Sequence, residues 1–148
     1  MITKINYKQV SRSRKFPAEK VFHIEGYPQA ISDGFAIDLY ADDEPVAGIL
    51  PLKPVQLILD EVKLLTNVLS EPKYLDDDTY TYFIMFNQEK KSVGIQKKYY
   101  QYFTARYPGC GFVHGNSRIS PIGVRYEGRI IGVVMPVFIR GDIAEYYE

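Results

Sequence analysis

The sequence predicts an α+β fold: a single domain, residues 1–148, with a mainly antiparallel sheet and two helices. Short runs rich in Val, Ile, Tyr and Phe recur along the chain, separated by Gly, Pro, Asn and Asp. Two windows carry apolar residues at helical spacing instead. The resulting order is strands, helix, strands, helix, strands, the pattern of an α+β domain. With 148 residues the chain is long enough to bury one core without disulfides or metal.

A short first strand is expected around Ile2 to Tyr7, followed by SRSRKFPAEK, Ser11 to Lys20, a basic loop or exposed arm. VFHIE reads as a strand and GYPQ as a turn. AISDGFAIDLY reads as a strand interrupted at Asp33-Gly34 by a bulge or hairpin bend. The acidic ADDEP, Ala41 to Pro45, is a turn, and VAGIL forms one more short strand.

The first helix is predicted to begin at Pro54 and to run four turns to Leu69, with Val55, Ile58, Leu59, Val62, Leu65 and Leu69 on one face. Leu57, Leu64 and Val68 form a second apolar group, which implies packing on two sides or a covering partner. SEPKYLDDDT, Ser70 to Thr79, reads as an acidic linker between two halves. Tyr80 to Phe86 is a strand, QEKK a turn and SVGI a return strand. A second helix runs from Gln96 to Tyr107 with Tyr99, Tyr102, Phe103 and Tyr107 toward the core. CGFVHG, ISPIGVRY and RIIGVVMPVFI close the domain as strands, the last two joined at Glu127-Gly128 by a tight hairpin. Pro136 has no N–H to give a sheet, so it marks an edge, a bulge or a strand end.

Eighteen Lys and Arg balance eighteen Asp and Glu, so net charge creates no pull toward nucleic acid or membrane. The distribution is uneven: the first 25 residues and those from 81 onward are basic, and the stretch between is acidic. The single cysteine and the absence of a long apolar stretch in MITKINYKQV lead to the expectation of a cytoplasmic protein without membrane association. Thirteen Tyr, eight Phe and no Trp suit half-buried strands, protein interfaces and stacking on bases alike.

Catalytic patterns are few. Cys110 and His114 lie four residues apart on one strand, roughly 13 Å, too far for a thiolate-imidazole pair or a shared metal. Glu61-Val62-Lys63 matches the Glu-x-Lys of metal-dependent nucleases, with Asp33 or Asp38 as the distant acid, but that pattern belongs on a strand and here falls within a helix. The acidic runs Asp42-Asp43-Glu44 and Asp76 to Asp78 lack the alternating ligands and glycine of a calcium loop. No cofactor or metal site is expected. Lys97, Lys98 and Gln101 on the second helix, with Arg12, Arg14 and Lys15 on the arm, form a basic set able to neutralise phosphates without reading bases.

Within KKYYQYFTARYPGCGFVHGNSRISPIGVRYEGRIIGVVMPVFI, a helix precedes antiparallel strands, Ser120-Pro121-Ile122 opens one strand and Met135-Pro136 closes the last. This arrangement resembles the second half of a domain of the bacterial sliding-clamp family, the β subunit of the replicative DNA polymerase. The resemblance implies a non-catalytic, clamp-like domain with two helices side by side on one face of a curved sheet. It implies nonspecific contact with double-stranded DNA through Lys97, Lys98, Gln101 and Arg106, and self-association through the sheets. A phage or mobile-element role fits a clamp-like domain of this size. The expected function is therefore a DNA-associated or protein-interaction domain, with a small metal-dependent nuclease using Glu61, Lys63 and an Asp as the alternative.

Overall fold

The computed structural model describes residues 2–5, 15–41, 47–77, 81–115, 117 and 119–139. Strands β1 (Ile2–Lys4), β2 (Phe22–Ile24), β3 (Tyr27–Ser32), β4 (Ala36–Asp38) and β5 (Gly48–Leu50) precede helix α1 (Leu52–Lys63). β6 (Asn67–Val68), β7 (Tyr74–Asp76), β8 (Tyr82–Phe86) and β9 (Ser92–Gln96) lead to helix α2 (Lys97–Arg106). β10 (Gly111–His114), β11 (Ile122–Tyr126) and β12 (Arg129–Val134) follow. The fold is α+β, as the sequence predicts.

The strands form two sheets. An eight-stranded sheet has the order β5-β2-β3-β4-β12-β11-β10-β6, and a four-stranded sheet has the order β1-β7-β8-β9. All pairs are antiparallel except β2 with β5.

Alternation along the strands sorts side chains into layers. In β8 and β9, Phe83, Met85, Val93 and Ile95 point into the main core with Tyr99, Tyr102 and Phe103 of α2 and with Ile122, Val124, Ile131 and Val134 of the large sheet. Tyr82, Ile84 and Phe86 point the other way and pack with Ile139. On the far face of the large sheet, Val55, Leu59 and Val62 of α1 pack against Ile37, Val113, Ile130 and Val133. Each such fully buried aliphatic side chain stabilises the fold by about 1.5–3 kcal/mol. The two helices thus occupy opposite faces of the large sheet, whereas the clamp resemblance implies helices side by side.

Several local expectations change. α1 begins two residues before Pro54, which takes the third helical position; N–H groups of the first turn lack intrahelical partners in any case, so proline costs nothing there. The helix stops at Lys63 because the next segment joins the sheet: Val68 pairs with Val113, and the Leu69 N–H donates to the Phe112 carbonyl at 2.9 Å. Leu57 and Leu64 of the second apolar group are solvent-exposed, at 66% and 82%.

Tyr74–Asp76, placed in a linker by its acidic composition, is a strand held between β1 and β8. Asp76 is buried and accepts a hydrogen bond from the Tyr82 hydroxyl at 2.8 Å. The expected exposed arm contributes Phe16 to the core, its ring 5.0 Å from that of Tyr102. The turn expected at GYPQ lies one step earlier, at Glu25-Gly26, where Gly26 has φ +82°. The hairpin at Glu127-Gly128 is as expected, with positive φ at both positions. β12 ends at Val134, ahead of Pro136.

Candidate functional site

The site is built where β3 turns into β4. Gly34 takes φ +93°, which an L side chain resists. Asp33 ties the turn together: its Oδ1 accepts from the Phe35 N–H at 2.9 Å and the Ala36 N–H at 3.0 Å, and Ser32 Oγ accepts from the Gly34 N–H at 3.0 Å. The other carboxylate oxygen of Asp33 accepts from the hydroxyl of Tyr99, whose ring is buried in α2. Burial, then this bond and the charge of Asp33, push the Tyr99 phenol well above its ordinary range, so it remains a proton donor. The turn is anchored to the core through a side chain 66 residues away.

Phe35 is nonetheless 62% exposed. It stands at a pocket of about 300 Å³ whose other walls are Leu50 and Pro51 at the end of β5, Pro54, Val55 and Ile58 of α1, and Ile37, Val133 and Met135 of the sheet region. The Met135 N–H donates to the Phe35 carbonyl at 2.8 Å, which fixes the backbone on the pocket side as well. A backbone held this firmly loses little freedom when a partner covers Phe35.

The Tyr102 hydroxyl and the Arg106 guanidinium of α2 are turned inward, as is the hydroxyl of Tyr107 just after it. Asp38, fully buried on β4, accepts from the Tyr107 hydroxyl at 2.6 Å, from the Tyr102 hydroxyl, and from the Tyr40 N–H at 3.0 Å. Arg106 completes the set with Nε 3.1 Å from Asp38, while its Nη2 donates to the Tyr40 carbonyl at 2.6 Å. Burial first, and the charge and hydrogen bond of Asp38 next, push Tyr102 far above the ordinary phenol range. Tyr107 shifts the same way. This is a closed, charge-assisted network that locks α2 to β4.

The expected phosphate-contacting set is therefore divided. Arg106 is committed to Asp38. Lys98 is exposed on the first turn of α2, its ammonium 5.0 Å from the Tyr99 ring centre, and Lys97 and Gln101 are half-buried. Lys15 is exposed, and Arg12 and Arg14 lie outside the described residues.

The nuclease pattern is not assembled. Glu61 and Lys63 sit exposed on α1, whereas Asp33 and Asp38 give their carboxylates to tyrosines of α2 on the other face of the sheet. Among the described residues no group of three or more His, Cys, Asp or Glu is placed to hold a metal ion. Cys110 is oriented toward the Phe103 carbonyl at 3.7 Å, and burial pushes its thiol up to about 11. His114 donates from Nε2 to the Ser120 carbonyl at 3.1 Å. Each is satisfied by the backbone rather than by the other. Among the described residues no helix is long and apolar enough to cross a membrane.

Comparison of the chain with protein-family models, with curated proteins and with solved structures found no match. Residue patterns did not single out Phe35 or its pocket, because the walls come from three stretches far apart in the chain; the one local signal was the Asp33-Gly34 bend that presents Phe35.

Proposed function

We propose that the chain is a non-catalytic docking domain that receives an apolar side chain of a partner protein in the pocket beside Phe35. The observation that carries this reading is the exposed Phe35 on a turn braced by Asp33 and Tyr99 over an apolar cavity. Exposed aromatics next to a desolvated pocket are where binding energy concentrates at protein interfaces. The partner segment is extended. Leu50 lines the pocket and ends β5, an outer strand that pairs only with β2 among the described residues, so backbone groups are available beside the cavity for strand addition.

The test selects displayed peptides on the wild-type domain and measures their affinity for Phe35→Ala and Ile58→Glu. Peptides with an apolar anchor are expected to bind the wild type and to lose about tenfold or more in each variant, the loss typical of removing a binding hot spot. Selected peptides that bind both variants unchanged would refute the assignment.

A second reading, a clamp-like, DNA-associated module of phage or mobile-element type that self-associates, is favoured by Lys97 and Lys98 on the first turn of α2. It predicts salt-sensitive binding to duplex DNA that is lost in Lys97→Ala/Lys98→Ala.

A further inference from the structure

We infer that a second, basic pocket at the C-terminal end of α1 binds the phosphate of a ligand of about nucleotide size. Its volume is about 380 Å³, and its walls include Lys63 from α1, Arg125 from β11, Arg129 from β12, and Tyr27, Leu39 and Tyr40. That volume is within the range of small-molecule sites.

Three cationic residues line one cavity, and among the described residues no carboxylate lines it. The nearest acids along the same elements are otherwise placed: Asp60 accepts from Gln56 Nε2 at 2.7 Å, and Glu61 and Glu127 are exposed to solvent and absent from the pocket wall. Asp38, next to Leu39 in sequence, is buried and paired with Arg106. Among the described residues the ion pairs are Lys91 with Glu89 and Arg106 with Asp38, and no described carboxylate pairs with any of the three pocket cations. Like charges around a shared cavity repel one another until an anion enters, and a phosphate answers several at once.

The site is also partly preorganised. Arg125 Nη2 donates to the Leu65 carbonyl at 2.8 Å, which holds the guanidinium in place and leaves its other N–H groups for a ligand. The Tyr27 hydroxyl donates to Gln56 Oε1 at 2.9 Å, so the proton of Tyr27 is committed and its ring serves as a wall. Together with Leu39 and Tyr40 that wall offers apolar and aromatic surface against which a base or sugar packs. Lys63 in the last turn of α1 also suits the negative end of the helix, but Arg125 and Arg129 on the hairpin have no such reason to face it. This pocket uses none of the residues of the Phe35 pocket, and the two assignments stand or fall separately.

Calorimetric and NMR titrations of the whole chain with inorganic phosphate, adenosine 5′-monophosphate, adenosine and a short single-stranded oligonucleotide test the proposal. Adenosine monophosphate is expected to bind saturably, more tightly than phosphate, with adenosine inert and shifts confined to the pocket. Displacement of the monophosphate by the oligonucleotide would assign the phosphate to a polynucleotide, and its failure to displace would assign a free nucleotide. Lys63→Ala/Arg129→Ala, two exposed positions, should weaken binding about tenfold or more, and Lys91→Ala, an exposed lysine in the turn between β8 and β9, should leave it unchanged. Absence of saturable binding by either phosphate ester, or unchanged affinity in the double variant, overturns the proposal.

Discussion

Asp38 is the residue on which the α2 side of the molecule depends. It is wholly buried and meets an arginine and two phenols. Replacing it with Ala leaves Arg106 partly buried without its counter-charge, a loss of about 3–5 kcal/mol, to be read by urea denaturation. Tyr102→Phe removes one charge-assisted hydrogen bond and should cost about 1.5–3 kcal/mol. His114 makes a pH prediction. Burial lowers its pKa below the ordinary 6.5, with the Ser120 carbonyl opposing in part. The unfolded chain then takes up the proton first as pH falls, so the contribution is complete above pH 6.5 and is lost progressively below it. His114→Gln should flatten the fall in stability below pH 6.5, measured as the difference between two denaturation series. The sequence shows which rings of α2 face inward, because Tyr99, Tyr102 and Phe103 repeat at helical spacing. Their carboxylate partners are more than sixty residues away and leave no local signature. For the same reason Arg106 reads as a surface cation until Asp38 is seen beside it.

Among the elements, strands with alternating or continuous β-formers were legible and those made by tertiary pairing were not. β8, β9, β11 and β12 follow from composition and from the Glu127-Gly128 turn. Acidic YLD becomes β7 because two neighbours supply hydrogen bonds that its local sequence does not call for, and α1 loses its last turn to β6 for the same reason. The contact between α2 and the large sheet makes a sharp prediction at Gly132. A Cβ there would meet Phe103 Cε1 at 2.6 Å and the Ile37 carbonyl oxygen at 2.7 Å. The ring can shift only at a cost, and the backbone oxygen belongs to a paired strand. Gly132→Ala should therefore destabilise the domain by about 1–3 kcal/mol, seen in chemical denaturation. Gly128→Ala, where no atom is within 4 Å, meets only the cost of its positive φ and should lose less.

For the whole molecule, the mixed class and the mainly antiparallel pairing follow from periodicity, whereas the division into two sheets does not, since hydrophobic pattern says which face a strand buries and not which strand lies beside it. The helices fall on opposite faces of the large sheet, so the α2 side is packed against the small sheet and held by its own ion pair, and the α1 side carries the Phe35 pocket and the basic pocket. That asymmetry is the basis for placing recognition on the α1 side. The basic set in the sequence points to α2 instead, where Lys97 and Lys98 remain available and Arg106 does not. The most direct test is an NMR titration of the labelled domain with an apolar-anchored peptide selected on it. Docking predicts saturable shifts at Phe35, Ala36, Ile58 and Met135 that vanish in Phe35→Ala, with little change at Lys97 and Lys98. Shifts centred on α2, or a pattern that persists in Phe35→Ala, would contradict it.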